Sequence, residues 1–323
     1  MKLKKFYHKV VERGIQGDIR SRKEIKEELN RSKKKYESLS EDKKAFFDPD
    51  NLFNPFSDTR IVLGSEESQV KSIMVGIDID CQEILLADRL RERGKKIDLL
   101  VSHHPVGRAY AKFYDVMDLQ IDVFSKQGIS LGISQNLLNE RKSQVGRRVS
   151  AVNHGRPVDC ARLLGINLFC MHTPCDNLAY QYLKKELEKT EPSTLGRIME
   201  ILFAIPDYKH AAQNNNPPQI VIGSESSRCR NIHLEFTGGT EGPKEIYKEL
   251  ASKGIDTVVA MHLSEEHVKM CRKENINVIF ASHIASDSLG VNLMLDFLEK
   301  EEKLEIYDVS GFRRFKHKAL NLK

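Results

Sequence analysis

Tryptophan is absent from this chain of 323 residues, and aromatic residues make up only 7% of it. No apolar run approaches the roughly 20 residues that a bilayer span needs. The start, Met1-Lys2-Leu3-Lys4-Lys5-Phe6, is basic and lacks the apolar core of a signal segment, so a cytoplasmic protein is expected. The six cysteines (Cys81, Cys160, Cys170, Cys175, Cys229, Cys271) contain no CxxC pair. That spacing offers neither a disulfide framework nor a cysteine zinc site, and buried free thiols are the better reading. The glycine-rich run Thr237-Gly238-Gly239-Thr240-Glu241-Gly242 could approach a phosphate. It is no Walker loop, because no Lys-Ser/Thr follows, and it is no GxGxxG. Ser102 is a nucleophile by location only, with no Ser-His-Asp arrangement around it.

What is present is a chain long enough for one large or two ordinary domains, 40% hydrophobic and 30% charged. Its net charge of +5 is uneven. Residues 1–44 hold 15 Lys and Arg against 8 Asp and Glu, a balance of +7, which leaves −2 for the rest. Ile15, Ile19, Ile25 and Leu29 give this segment only a thin apolar stripe. It reads as an appended helical arm, either a solvated face of mixed charge or a surface for nucleic acid or another anion. A turn-rich linker with Pro49, Asn51, Asn54 and Pro55 follows, so residues 1–60 form a basic extension.

From Ser72 onward apolar strands alternate with helices. Ile73–Ile79, a helix from Gln82 to Gly94 and Ile97–Val101 make a βαβ unit with a parallel pair. Asp115–Gly128, Leu131–Leu138 and Asn153–Gly165 read as helices, and Ile166–Met171 as a strand. Residues 205–228 read as loops. The alternation then resumes with strands at His233–Phe236, Asp256–Met261 and Asn277–Ala281. The fold class is therefore α/β. A first lobe spans 61–190 and a second α/β part spans 191–323.

The chemistry gathers at strand ends, where open α/β sheets bind ligands. Ser102-His103-His104-Pro105 closes one strand. Neighbouring side chains in extended backbone point to opposite faces. Either a turn at Pro105 brings the two imidazoles together, each serves a different ion, or both are ordinary half-buried histidines. A second strand runs into His172-Thr173-Pro174-Cys175-Asp176, where Asp176 is a ligand or a helix cap. A third ends in Ser282-His283-Ile284-Ala285-Ser286-Asp287. His283 and Asp287 share a helix face at that spacing and can bind one ion, or form a helix-start ion pair.

Together His103, His104, Asp176, His283 and Asp287 offer more ligands than one tetrahedral ion takes, and a shared carboxylate could bridge two. Imidazole with carboxylate suits Zn, Fe, Mn, Co or Ni. A two-metal pair suits hydrolysis. His172 stands beside the same turn as an orienting or acid/base group, or as a strand cap. His262 and His267 flank a strand–helix turn and either line the cleft or belong to a helix start.

SHHP after one strand, HTPCD after another and a late H-x-x-x-acid run resemble the Nif-three-like (DUF34) di-metal proteins, labelled GTP cyclohydrolase 1 type 2 homologues. The likeness covers residues 60–305. It implies two α/β lobes with mixed or parallel sheets around a metal-binding interlobe cleft, with two divalent ions on the five residues above and assembly as a homohexameric ring. His267 matches a histidine of the family's late helix that contacts substrate. The chain departs from the family in three ways. Asp287 in SHIASD stands where the family usually has Glu in a GHYxTE-like run, the usual tryptophan-containing opening is missing, and the long inserted domain of some members is absent. The function expected is metal-dependent hydrolysis of a nucleotide or other phosphorylated small molecule, with His172 and His267 as acid/base groups. The alternative is a non-catalytic metal-binding scaffold whose ring presents the basic arm to a partner, without any membrane role.

Overall fold

In the computed structural model, which describes residues 1–322, the chain forms an α/β fold of two sheets flanked by helices. Helix α1 (Leu3–Gly17) opens the chain. Helix α2 (Arg22–Glu37) begins with a capping box, in which Ser21 accepts from the Glu24 amide and Glu24 accepts from the Ser21 amide. The short α3 (Glu41–Lys44) follows. The first sheet is built from β1 (Arg60–Leu63), β2 (Ser72–Gly76), β3 (Leu99–Ser102) and β4 (Asn167–Cys170). Helix α4 (Cys81–Glu92) connects β2 to β3. Between β3 and β4 lies a helical insertion comprising α5 (Gly107–Ala111), α6 (Leu119–Lys126), α7 (Leu131–Ser150) and α8 (Arg156–Leu163). Helix α9 (Thr173–Thr190) leaves β4 directly.

The second lobe starts with α10 (Leu195–Phe203) and α11 (Pro206–Gln213) and continues through β5 (Gln219–Ile222) and β6 (Ile232–Glu235). Then come α12 (Ile246–Ser252), β7 (Thr257–Ala260), α13 (Glu265–Lys273), β8 (Asn277–Phe280) and α14 (His283–Leu298). The segment 205–228, read as loop, thus contains a helix and an edge strand. The chain ends with β9 (Glu305–Val309).

The first sheet has the order β1-β4-β3-β2-β9 and the second β5-β8-β7-β6. β2, β3, β4 and β9 run parallel and β1 is an antiparallel edge. β6, β7 and β8 run parallel and β5 is again the antiparallel edge. The domain boundary at 191 therefore needs correcting. β9 crosses back and pairs with β2, placing Ile306 opposite Ile73, so the first lobe takes its last strand from the far end of the chain.

The basic arm needs the same correction. Leu3, Phe6, Tyr7, Val10 and Val11 are buried, and α1 packs on α9 and α14. The two lobes repeat one plan that explains why. Leu3 and Lys4 amides bond the Ser68 and Glu66 carbonyls in the β1–β2 turn. Leu195 and Gly196 amides bond the Ser227 and Glu225 carbonyls in the β5–β6 turn. Helix α1 is thus the structural counterpart of α10. Only α2 and α3 project, and of α2 only Ile25 is buried. One apolar core, holding Val75 and Val101 of the first sheet and Val259 and Ile279 of the second, runs through α9 and α14 between the sheets.

Candidate metal centre

Three parallel strands, β3, β4 and β8, deliver their carboxyl ends to one place. After β3 the chain keeps to its neighbour, with the His103 amide bonding Gly76 O and the His104 amide bonding Ile77 O. Ser102 Oγ donates to the His104 carbonyl at 2.6 Å, which closes a turn. The two imidazole centroids end 5.3 Å apart. At the β8–α14 junction Ser282 takes a left-handed backbone, φ +74°, an expensive conformation for a residue with a Cβ. It turns the chain sharply so that His283 opens the helix.

The side chains fall into three three-residue groups, of which two share Asp287 and the third is His103, His104 and His172. Of those two, His103, Asp176 and Asp287 form one and His104, His283 and Asp287 the other. Asp287 Oδ1 lies 3.4 Å from His103 Nε2. Its Oδ2 lies 3.4 Å from His104 Nε2 and 3.5 Å from His283 Nε2. Asp176 Oδ1 is 3.3 Å from His103 Nε2. Donor atoms on a tetrahedral ion with bonds of about 2.0–2.1 Å stand about 3.3 Å from one another, so these separations fit a shared ion. His103 Nε2, Asp176 Oδ1 and Asp287 Oδ2 are buried with no hydrogen-bond partner among the described residues. Buried polar atoms normally have partners, and a cation would satisfy all three.

The electrostatics agree. Burial works against a charged ring, yet the carboxylates outweigh it. The carboxylates of Asp287 and Asp78 raise the His104 pKa to about 9. Asp287 and Asp176 likewise raise that of His103. Burial would raise the Asp287 pKa, but His103 and His104 hold it well below the usual carboxylate range.

A search of the solved structures found a NIF3 superfamily protein from Sphaerobacter thermophilus, 26% identical, with a TM-score of 0.70 over 79% of this chain and 91% of that one. The chain has a NIF3-like α/β fold. It also aligns with reduced HcgD from Methanocaldococcus jannaschii, 15% identical, with a TM-score of 0.48 over 81% of this chain and 93% of that one. A Bacillus cereus protein related to NIF3 is 10% identical, with a TM-score of 0.43 over 78% of this chain and 91% of that one. No protein-family model and no curated protein matches the chain.

In this NIF3-like chain the histidines are aimed by partners that sequence reasoning did not select. Asp78 holds His104 Nδ1 at 2.8 Å. The Met171 carbonyl holds His103 Nδ1 at 3.2 Å. Asp58, fully buried, holds His172 Nδ1 at 2.8 Å and accepts from Thr173 Oγ1 at 2.6 Å. Each ring therefore presents Nε2 inward, the arrangement that fixes tautomer and orientation of a metal-binding imidazole. Asp78 carried a signal, because it ends the β2 segment as the histidines end β3. Asp58 carried none, lying 114 residues from His172 in the turn-rich linker.

His172 Nε2 stands 3.7 Å from Asp176 Oδ2, at the floor of a cleft of about 660 Å³ between the lobes. His262 lines the cleft and its ring lies 4.6 Å from that of His283. His267 does not line it. Its Nδ1 bonds Ser264 Oγ at 2.7 Å and its Nε2 bonds the Gly242 carbonyl at 3.0 Å, behind the glycine loop. The loop's glycines serve packing. A Cβ on Gly238 would stand 2.6 Å from Gln120 Cγ and one on Gly239 2.7 Å from Val116. Gln120 Nε2 donates to the Gly238 and Thr240 carbonyls, clamping the loop against the helical insertion.

Proposed function

We propose that this NIF3-like protein is a metal-dependent hydrolase of a phosphorylated small molecule, nucleotides included. Two divalent ions would be held by His103, His104, Asp176, His283 and Asp287. The observation that carries this reading is the carboxylate of Asp287 shared between two imidazole groups, with unpartnered donor atoms, at the floor of a cleft open to small molecules. A carboxylate shared by two such groups could hold two ions, which would activate water and offset charge on the attacked centre. Around it the chain's own groups have separate tasks. Asp78 and the Met171 carbonyl orient the two imidazoles of the SHHP turn. Asp58 accepts from His172 Nδ1, leaving Nε2 to carry a proton to or from the reacting group. His267, already engaged at both nitrogens, positions Glu241 and the loop and does not touch substrate.

Elemental analysis of the purified protein tests the site. About two ions per chain, falling in Asp287→Ala, are expected. A screen of the metal-loaded protein against phosphoesters and nucleotides tests the activity. Turnover that His104→Ala abolishes supports the reading, and its absence across the screen sinks it.

Self-association as a hexameric ring belongs to the same proposal. Exposed apolar side chains on adjacent helices, Leu163 of α8 at 75% and Leu85 of α4 at 55%, support a covered face. Light scattering at a mass near that of the single chain would refute it.

A second reading, a scaffold that binds an anionic partner, is favoured by the projecting basic α2. It predicts salt-sensitive binding that is lost on deleting residues 22–44 and survives Asp287→Ala.

A further inference from the structure

The cysteines divide by exposure. Cys170, Cys175, Cys229 and Cys271 are buried free thiols, as the sequence leads one to expect. Cys81 and Cys160 are not, and both are partly exposed. Cysteine is among the residue types most often buried, so two half-open thiols on neighbouring helices call for a reason.

Cys81 is the first residue of α4, and Cys160 stands in the middle of α8. The two helices pack on each other. Ile84 and Ala87 of α4 and Ala161 of α8 share one core cluster, and Cys160 packs against it. Cys81 Sγ lies 3.8 Å from the Arg156 carbonyl. Within α8 that carbonyl faces the amide of Cys160, one turn along, which brings both thiols to one spot on the seam between the helices. The ionisation of Cys81 reflects this setting. Burial, then Asp80, then the Cys160 thiol push its pKa up to about 11. Positions 81 and 160 lie too far apart in the chain for any spacing motif to announce them.

We propose that Cys81 and Cys160 form a redox site, in which a peroxide converts the two thiols into a disulfide within one chain and a dithiol reductant restores them. Cys81 keeps its proton near neutral pH, so the Cys160 thiolate reacts first. Its sulfur attacks one peroxide oxygen, the O–O bond breaks, and the departing hydroxide takes up the thiol proton as water. Cys160 is left as a sulfenic acid. Cys81 then gives up its proton and its sulfur attacks that of Cys160. The S–O bond breaks, and hydroxide leaves with that proton as a second water. Each sulfur has lost one electron and the peroxide has gained two. The bond ties the start of α4 to α8. Asp80 and Arg156, paired at 2.7 Å in the lining of the cleft, stand beside it, so oxidation braces one wall of the cleft. None of this rests on the hydrolase reading.

Treatment of the full-length protein with hydrogen peroxide tests the site. Titratable thiols in denaturant should fall from six per chain to four, with a mass lower by two hydrogens. Peptide mapping should join Cys81 to Cys160 within one chain, and dithiothreitol should reverse the change. The reaction should quicken as pH rises from 7 to 9, because only thiolates attack. In Cys81→Ser the disulfide should be lost and dimedone should label Cys160, the trapped sulfenic acid. In Cys160→Ser neither product should form. Oxidised wild type should unfold several degrees above the reduced protein, a rise expected of a cross-link that closes a long loop and one that both variants should lack.

Six thiols remaining after peroxide, a linkage between chains, or a linkage through any of the four buried cysteines overturns the inference. Mapping of the wild-type protein decides this even if a serine variant fails to fold. Dimedone labelling of Cys81 in Cys160→Ser would overturn the order of attack, and an unchanged unfolding temperature would overturn the bracing of the wall.

Discussion

Asp78 and Asp58 illustrate what a single residue contributes when it touches no ion. Each fixes one imidazole nitrogen and so decides which atom of His104 or His172 faces the cleft. Loss of such a partner typically weakens metal binding 10–100-fold. Asp78→Ala is therefore expected to lower zinc affinity by about that factor in a chelator competition, with the stoichiometry unchanged. Unchanged affinity would show that the Ser102 turn alone orients His104. His233 is a residue-scale case away from the cleft. It is buried, its Nδ1 lacks a partner, and burial lowers its pKa from the ordinary 6.5 to about 4. Between those values the unfolded chain binds the extra proton and the folded one does not. Stability is thus full above pH 6.5 and lost as pH falls toward 4, by about 3 kcal/mol for this group. Urea unfolding at pH 7 and pH 4.5 should show a smaller pH difference in His233→Leu than in wild type. The ligand-type residues were legible because each closes an apolar run. Asp58 was not, since only the folded chain brings it to His172.

At the scale of elements, the alternation of strand and helix was readable wherever apolar runs were buried on both faces, as in β2, β3 and β7. The edge strands β1 and β5 escaped, because a half-exposed strand of four residues carries no such run. Helix α1 was misread for a related reason. Its Lys residues set the charge balance, while Phe6, Val10 and Val11 form the stripe that packs on α9. Phe6 is fully buried against Phe169, with ring centroids 5.4 Å apart. Phe6→Ala should cost about 3–5 kcal/mol in chemical denaturation, whereas a dispensable arm would tolerate it. The crossing of α9 and α14 is equally demanding. A Cβ on Gly290 would stand 2.8 Å from the Cys175 carbonyl carbon, within one turn of both Asp176 and Asp287. Gly290→Ala should destabilise by about 1–3 kcal/mol through overpacking, and the displaced helices should weaken zinc binding with it. Retained stability and zinc affinity would mean that the helices can part without disturbing the ligands.

For the whole molecule, the repeated plan of the two lobes raises the question of whether they fold as separate units. Three connections argue that they do not. The main core takes side chains from both sheets and from α9 and α14 between them. β9 returns from the second lobe to pair with β2. The segment after β9 then runs back over α14, where Arg314 bonds Asp296 and Glu299, and reaches α1, where Arg13 bonds the Leu320 carbonyl. The candidate ligands also come from both lobes, with His103, His104 and Asp176 on one and His283 and Asp287 on the other. A cation held there binds the folded state alone and joins the lobes at their cleft, so it should stabilise both together. Calorimetry of the metal-free protein is expected to show one unfolding transition. Zinc should raise that transition as a whole, by an amount that grows with its free concentration, and Asp287→Ala should abolish the rise. Two separated transitions, or a rise confined to one of them, would show that the lobes are independent and that the ions do not span them.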